Sequence, residues 1–482
     1  MNKLIQTEVV VVGGGPAGAV AARALAHLGR EVVLCESASF PRPHVGISLS
    51  PGVEKQLAFL GLDGQLDRPC HRKEVPMLRR WGTPDFETSA GPTFTIVDRG
   101  VFDADLLAAA RDAGVRVLHQ ARVGEQTRTG EGWRLSVYRA ASHVVIDTRF
   151  VVEATGRRMR FRRRRRYGAN TLALCGTWIG APTGAMRLSA GRDHWCWATP
   201  TGPHANSVIC FVDPQHFQQL PGSLRERYVT MAEQSGVLPA IEALTLCAEP
   251  FACNATPCVS EEETAGILCV GDADLTLDPL SSSGVQAAIQ SSLAIGPIVN
   301  TLLTPGADAD AAMDFWRTSR MRRLNQHRRW SQQLYSEALC RHRTAFWVER
   351  AGSEPASAPA VDPPRPMPAP DQLIRLSGQT KFIFAPCLAG GLVERMECIS
   401  HLGEPLGFLG KIHLATKLQE AQVFLPASAR RLVETWSTSM SPSSAFALLT
   451  WAWKQGVLVD ASQDEGLVRG TLKPPMNEVI TL

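Results

Sequence analysis

Val9-Val10-Val11-Val12-Gly13-Gly14-Gly15-Pro16-Ala17-Gly18-Ala19-Val20-Ala21-Ala22-Arg23-Ala24-Leu25-Ala26-His27-Leu28-Gly29-Arg30-Glu31-Val32-Val33-Leu34-Cys35-Glu36 reads as a buried strand, a glycine turn, a helix and a second strand that ends in an acid. This is the pattern of a dinucleotide-binding βαβ unit. Gly13 suits the tight turn, Gly15 opens the backbone to a pyrophosphate, Gly18 lets the helix pack close to the strand, and Glu36 is placed to accept a ribose hydroxyl. Pro16 and Ala17 start the helix, whose N-terminus faces the phosphates.

Outward from this unit, the 482 residues leave room for two or three domains, and 44% hydrophobic with 20% charged residues describes a globular chain. The first residues have no apolar signal core and no apolar run approaches membrane length, so the cytoplasm is the expected compartment and no membrane partner is expected. The twelve cysteines are scattered without a Cys-x-x-Cys pair. They read as thiols within the fold, with no metal site. The net charge of +4 says little about partners, but Arg157 to Arg166 holds eight arginines. Without interleaved aromatics or a binding module this run does not predict nucleic acid. It reads as a solvated basic loop, or as a docking place for an anionic partner.

Residues 37–55 read as a loop, and Asp98 to Ala113 as a helix entered through Asp98-Arg99. A hairpin over 132–153 ends in Phe150-Val151-Val152-Glu153 and runs into Ala154-Thr155-Gly156, a second place for a cofactor contact. Residues 170–260 read as an antiparallel sheet inserted on the substrate side, with a helix near 222–245. The chain then returns to a buried strand at Gly266–Val270 and the turn Gly271-Asp272-Ala273. After Pro279 and Ser281-Ser282-Ser283-Gly284 a long helix begins at Val285. The spacing gives one domain over 1–350, a Pro-rich linker over 351–370 and a small C-terminal helical or winged-helix-like module over 371–482, with helical segments near 391–401, 425–439 and 441–456.

Three cofactor-type segments in this order, Gly13 to Gly18, Glu153-Ala154-Thr155-Gly156 and Gly271-Asp272, resemble the FAD-dependent monooxygenases of the para-hydroxybenzoate hydroxylase type, with Asp98-Arg99 at the family's usual helix entry. The resemblance implies an α/β fold of Rossmann type that binds FAD. It implies cofactor contacts at Gly13, Gly15, Pro16, Ala17, Gly18, Glu36, Arg99, Ala154, Gly156, Asp272, Pro279, Ser283, Gly284 and Val285. Trp195-Cys196-Trp197-Ala198-Thr199-Pro200, Pro279 to Gly284, and Gly46-Ile47-Ser48-Leu49-Ser50-Pro51 further resemble the flavin-dependent halogenases over about residues 6–345. Lys73 stands where that family's lysine lies relative to the next aromatic, Trp81. The resemblance thus implies catalytic roles for Lys73, Trp195 and Trp197.

The pattern departs from the halogenases at Ile47, Thr199 and Ser281. The chain is similar to the halogenase-like flavoproteins that hydroxylate a peptidyl tryptophan during tryptophylquinone maturation. That likeness implies a protein or peptide substrate. The sequence offers no second dinucleotide fingerprint to house NAD(P)H, so reduction is expected from transient binding of NAD(P)H or from a separate flavin reductase. Halogenation or hydroxylation of a small indole or phenol stays open, as does a purely redox flavoprotein.

Overall fold

The computed structural model describes residues 3–352 and 366–462, apart from 43, 46, 90–92, 140–141, 182, 240 and 262. Gly46 and most of the expected linker lie outside the described residues. The chain divides into two units. Among the described residues, the larger holds 3–299 and 319–352, and the smaller holds 300–318 and 366–462.

In the larger unit, strand Lys3–Val12 pairs in parallel with Val32–Cys35 on one side and Ser142–Glu153 on the other. The sheet extends to Arg116–Leu118 at one edge, and through Trp133–Arg139 to Arg122–Arg128 at the other. Strand Ile267–Cys269 adds in parallel beside Val151 to Glu153. Val9 to Val11, Leu34, Val151 and Val152 are buried, as a doubly covered parallel sheet requires. The register sets Val12 level with both Cys35 and Glu153, and Glu153 level with Cys269. Four parallel strands therefore end together, and the residues that follow them emerge at one sheet edge. Ligands of open α/β sheets bind at this carboxyl edge.

A second sheet of eight strands, in the order Thr245–Leu246, Leu172–Ile179, Ala205–Val212, His194–Gly202, Met186–Ala190, Met77–Arg80 and Glu87–Thr88, with Phe251–Asn254 beside Leu172–Ile179, forms the insert. It also recruits strands from residues 77–88, which sequence reading did not assign to it. One face carries Trp195, Trp197 and Phe211, and the other packs Cys196, Ala198 and Cys210 against helix Leu224–Ser235. That helix is shorter than the expected 222–245, because Gly236 takes a left-handed conformation at its end. Residues 37–55 are also more ordered than expected, with strand Ser48–Leu49 and the start of helix Gly52–Phe59.

The smaller unit has its own core of Ile374, Ile399, Leu418, Leu432, Trp436, Leu448 and Trp453. Helices Leu414–Gln422, Ala429–Trp436 and Pro442–Lys454 pack with a sheet of Ala427–Ser428, Leu373–Leu376 and Leu458–Asp460. The helix expected at 391–401 is instead strand Leu392–His401, the second arm of a hairpin with Thr380–Ala389. Leu392, Val393, Met396 and Ile399 mimic helical spacing, but Gly390-Gly391, both at positive φ, make the tight hairpin turn. Within this unit Asn300 donates to the Gly391 carbonyl at 2.9 Å and Val393 N–H donates to Thr301 at 2.8 Å.

Candidate flavin site and its aromatic wall

The level strand ends bring the three glycine-bearing segments together. Gly13 has φ +111°, and a Cβ there would lie 2.3 Å from the Ala154 carbonyl oxygen; at Gly18 it would lie 1.8 Å from the Gly13 oxygen. Gly271, at φ +60°, would drive a Cβ to 2.8 Å from that of Ala17. All three glycines are thus required by close backbone approach. Helix Pro16–His27 has no side-chain cap, and Pro16 lacks an N–H, so the first-turn amides of Ala17 and Gly18 have no intrahelical acceptor and face the turn. Glu36 is buried: one carboxylate oxygen accepts from Gly14 N–H at 2.6 Å and the other from Ala38 N–H at 2.6 Å.

Arg42 was not singled out in the sequence. Its guanidinium lies 3.5 Å from the position of a Cβ on Gly15, and its buried Nε has no partner among the described residues. No motif marks it, since it reaches the glycine turn from a loop. Arg99, which was expected to touch cofactor, is buried in a two-bond pair with Asp103 (2.8 and 2.9 Å) and donates to the Val45 carbonyl at 3.0 Å. Asp98 caps its helix by accepting from Gly100 and Val101 N–H. Arg99 thus anchors the loop that carries Arg42.

Ala154 abuts Gly13, and Gly156, at φ +62°, stands in open space. Asp272 pairs with Arg157 at 3.3 Å. The arginine run is not simply a solvated loop. Glu153, fully buried, accepts from the backbone N–H groups of Arg160 and Phe161, Arg164 donates to the Gly156 carbonyl at 2.7 Å, and Arg162 donates to the Ile267 carbonyl. Arg164–Arg166 is a strand paired with Cys258–Ser260.

The loop expected beside the flavin ring is held from beneath. Asp278 caps it through Leu280 N–H, and its buried carboxylate receives the Tyr335 hydroxyl at 3.0 and 3.1 Å. Burial pushes the Asp278 carboxyl above the ordinary range. Asp278 N–H donates to His327 Nε2 at 2.7 Å, which requires a neutral ring with its proton on Nδ1. Burial lowers His327 to about 4. Above these residues Ser282 adopts left-handed φ +47°, and its hydroxyl bonds that of Ser48 at 2.9 Å. Ser50 donates to Gln286 at 2.6 Å. Two motifs more than 230 residues apart in sequence, around Ser48 and around Ser282, therefore meet. Helix Gly284–Leu303 then begins, with open space beside Gly284, and the amides of Gly284 and Val285 stand in its first turn, ahead of the first intrahelical acceptors. Pro279 and Ser283 shape the loop, with the Ser283 hydroxyl bonded to that of Ser281 at 2.8 Å.

Trp195 and Trp197 share one sheet face. Trp195 has no exposed surface, stacking on Phe211 at 3.8 Å and meeting the Trp81 edge at 6.1 Å, and Trp81 in turn meets Trp347 at 5.2 Å. Trp195 is therefore a core residue of an aromatic cluster that also includes Leu280, with Ile47 packed on it. Trp197 is 7% exposed, and its buried Nε1 has no partner among the described residues. Lys73 is not in this cluster: its exposed ammonium pairs with Asp67, which raises its pKa.

The turn suits an FAD diphosphate: helix amides and a guanidinium with an unpartnered Nε converge on a glycine that a Cβ would crowd. Fold and site define a flavoenzyme of the halogenase-like monooxygenase class, with FAD as its cofactor. Residues 6–331 match the model of the FAD binding domain family, and the chain belongs to that family. It is 27% identical over 368 residues to a tryptophan 2-halogenase of Chondromyces crocatus, covering 71% of this chain and 70% of that one. A flavin-dependent halogenase of Armillaria mellea, armH4, is 26% identical over 340 residues, with 59% of this chain and 63% of that one covered. Among solved structures, the flavin-dependent halogenase CmlS superposes with a TM-score of 0.76 at 20% identity over 98% of this chain and 100% of that one. The peptidyl tryptophan dihydroxylase QhpG, essential for tryptophylquinone cofactor biogenesis, superposes with a TM-score of 0.69 at 24% identity, covering 94% and 99%. Among the described residues no helix is long and apolar enough to cross a membrane, and no cluster of three His, Cys, Asp or Glu side chains fits a metal ion.

Proposed function

We propose that this chain is an FAD-dependent monooxygenase that hydroxylates an electron-rich aromatic ring, a tryptophan within a peptide or protein. The observation that carries this reading is the contrast between Lys73, whose ammonium stands in water on Asp67, and the dry aromatic wall of Trp195, Trp197, Trp81 and Phe211 beside the Pro279 to Gly284 loop. Halogen transfer in the family that this chain resembles carries hypohalous acid to a substrate held by a lysine, and an ion-paired surface lysine does not suit that task. Direct oxygen transfer to an aromatic ring needs only a water-poor pocket. The likeness to a peptidyl tryptophan dihydroxylase over 94% of the chain supports the same reading.

When bound and reduced, FAD supplies an electrophilic oxygen derived from dioxygen. Gly13 to Gly18, Glu36 and Arg42 would hold its diphosphate and ribose. The first-turn amides of helix Gly284–Leu303 would face the ring, and the Asp278–Tyr335 bond fixes the loop that presents them. Trp197 Nε1, a buried donor without a partner among the described residues, would be placed to orient a polar substrate group. Reducing equivalents come from NAD(P)H or from a separate flavin reductase. Bleaching of the purified yellow protein by NADPH alone would rule out the need for a reductase.

The test is intact-mass analysis of a tryptophan-containing candidate protein co-expressed with this chain. Added oxygen on that tryptophan is expected. Added chlorine or bromine, or oxygen found only on free indoles supplied in competition, overturns the reading.

A further inference from the structure

Strand Arg164–Arg166 is the outer strand of a three-stranded sheet, followed by Cys258–Ser260 and then Leu275–Thr276. Glu261 N–H donates to the Arg163 carbonyl, and Tyr167 N–H to the Pro257 carbonyl. Antiparallel pairing alternates, so the residues that exchange backbone bonds with the inner strand are Arg163, Arg165 and Tyr167. The backbone N–H and C=O groups of Arg164 and Arg166 consequently turn outward, to the open edge. Along and just before this edge stand Arg158, Arg160, Arg163 and Arg166, all exposed and without an acidic partner among the described residues. Of the acids that follow strand Cys258–Ser260, Glu261 is taken by Arg165 at 3.7 Å and Glu263 is engaged as well. Asp272 is taken by Arg157, and Glu153 lies buried beneath the run.

We propose that this edge docks an extended acidic segment of the protein substrate, which adds to the sheet as a fourth strand beside Arg164–Arg166. Unpaired edge groups supply the backbone bonds of β-augmentation. The unpartnered guanidinium groups exclude neutral and basic strands, as charged edges commonly do, and admit one that carries carboxylates. The opposite outer strand of the same sheet, Leu275–Thr276, leads within two residues to Asp278 and the flavin loop. Neighbouring strands lie about 4.8 Å apart, so the added strand would run about 15 Å from Leu275–Thr276, a gap that about five extended residues cover. A tryptophan a few residues beyond the acidic segment is therefore within reach of the strand that leads into the flavin loop. The inference rests on the peptide-hydroxylase reading and adds the place and charge of substrate docking.

The probe is a fluorescein-labelled ten-residue peptide of alternating Glu and Thr, followed by fluorescence anisotropy with the full FAD-loaded chain. Salt-sensitive binding is expected. The R163E/R166E variant should bind about tenfold more weakly or worse, while retaining its yellow colour and thermal midpoint. The same variant should gain binding to a Lys-Thr peptide, which shows that the reversed surface is folded. A Glu-Pro peptide of equal charge, unable to pair its backbone, should bind at least about tenfold more weakly than Glu-Thr. Equal binding of the Glu-Pro peptide, unchanged binding by R163E/R166E, or tighter binding of a single-stranded oligonucleotide of the same charge overturns the docking proposal. Anisotropy requires no turnover. Oxygen addition to a peptide without Glu-Thr binding would defeat docking alone, and binding without oxygen addition to any tryptophan would defeat the proposed chemistry alone.

Discussion

At Gly13 the backbone is left-handed and an ideal Cβ would sit 2.3 Å from the Ala154 carbonyl oxygen, so two separate constraints act on one residue. Gly13→Ala should cost more than about 2 kcal/mol in strain and clash and lower FAD retention at least about tenfold. The ratio of flavin to protein absorbance after gel filtration reads the loss, and unchanged retention would mean that the turn relaxes freely. His327 makes a pH prediction. Its ring must stay neutral to accept the Asp278 N–H, and its folded value of about 4 lies below the ordinary 6.5. Between these values the folded chain binds fewer protons than the unfolded chain. The stability contribution is full above the unfolded value and is lost as pH falls through about 4, by up to about 3 kcal/mol. Asp278, raised by burial, works in the opposite sense: its contribution is present below the unfolded value and is lost as pH rises through the folded one. His327→Gln keeps an acceptor but cannot titrate, so the difference between the two proteins isolates the histidine. Urea midpoints at pH 7 and pH 5 should fall closer together in the variant than in the parent. These two residues also mark how far sequence reading reaches. Gly13 was legible because a fixed local turn demands it. His327, Tyr335 and Arg42 were not, because each acts on a segment to which only the tertiary fold brings it.

Among the elements, the long helix Ala309–Leu339 shows how polar residues fix an interface that hydrophobic periodicity alone leaves loose. Arg320 and Arg323 reach the buried Asp274 at 2.7 and 3.1 Å, and the Arg320 guanidinium also bonds the Ser260 hydroxyl at 2.6 Å. The helix is thereby tied to strand Cys258–Ser260 and to the residue that follows the Gly271–Ala273 turn and precedes strand Leu275–Thr276. Burial lowers the Arg323 pKa, with Asp274 opposing that shift. Arg323→Met leaves a buried carboxylate with one cation in place of two, and should destabilise the larger unit by about 3 kcal/mol. A urea midpoint unchanged from the parent would show that Arg320 alone satisfies Asp274. The parallel strands were readable as elements, since runs such as Val9 to Val12 and Phe150 to Val152 are apolar on both faces. Strand Leu392–His401 was misread as helix because three-residue spacing of apolar side chains competes with alternation over so short a run. The Gly390-Gly391 turn was the stronger signal. Strand Arg164–Arg166 escaped notice for a related reason: its residues are all cationic, and only pairing with Cys258–Ser260 makes it a strand.

At the scale of the whole molecule, two separate cores predict two separate responses to cofactor. The residues that suit the FAD diphosphate, Gly13 to Gly18, Glu36, Arg42 and the Gly271 turn, all belong to the larger unit. The core of the smaller unit is built from residues 374 to 458. A ligand that binds only the folded state adds about 2.7 kcal/mol at a hundredfold excess over its dissociation constant, and the gain falls on the opening reactions that destroy its site. Hydrogen exchange of the apo and FAD-loaded chain should therefore show slowed exchange in strands Lys3–Val12, Val32–Cys35 and Ser142–Glu153 and at the start of helix Gly284–Leu303. Helices Ala429–Trp436 and Pro442–Lys454 should exchange at the same rate in both states. Equal protection of these two helices would mean that both units open as one cooperative body. Protection confined to the strands and the loop helix of the larger unit would show that the two units open independently, as their separate cores predict.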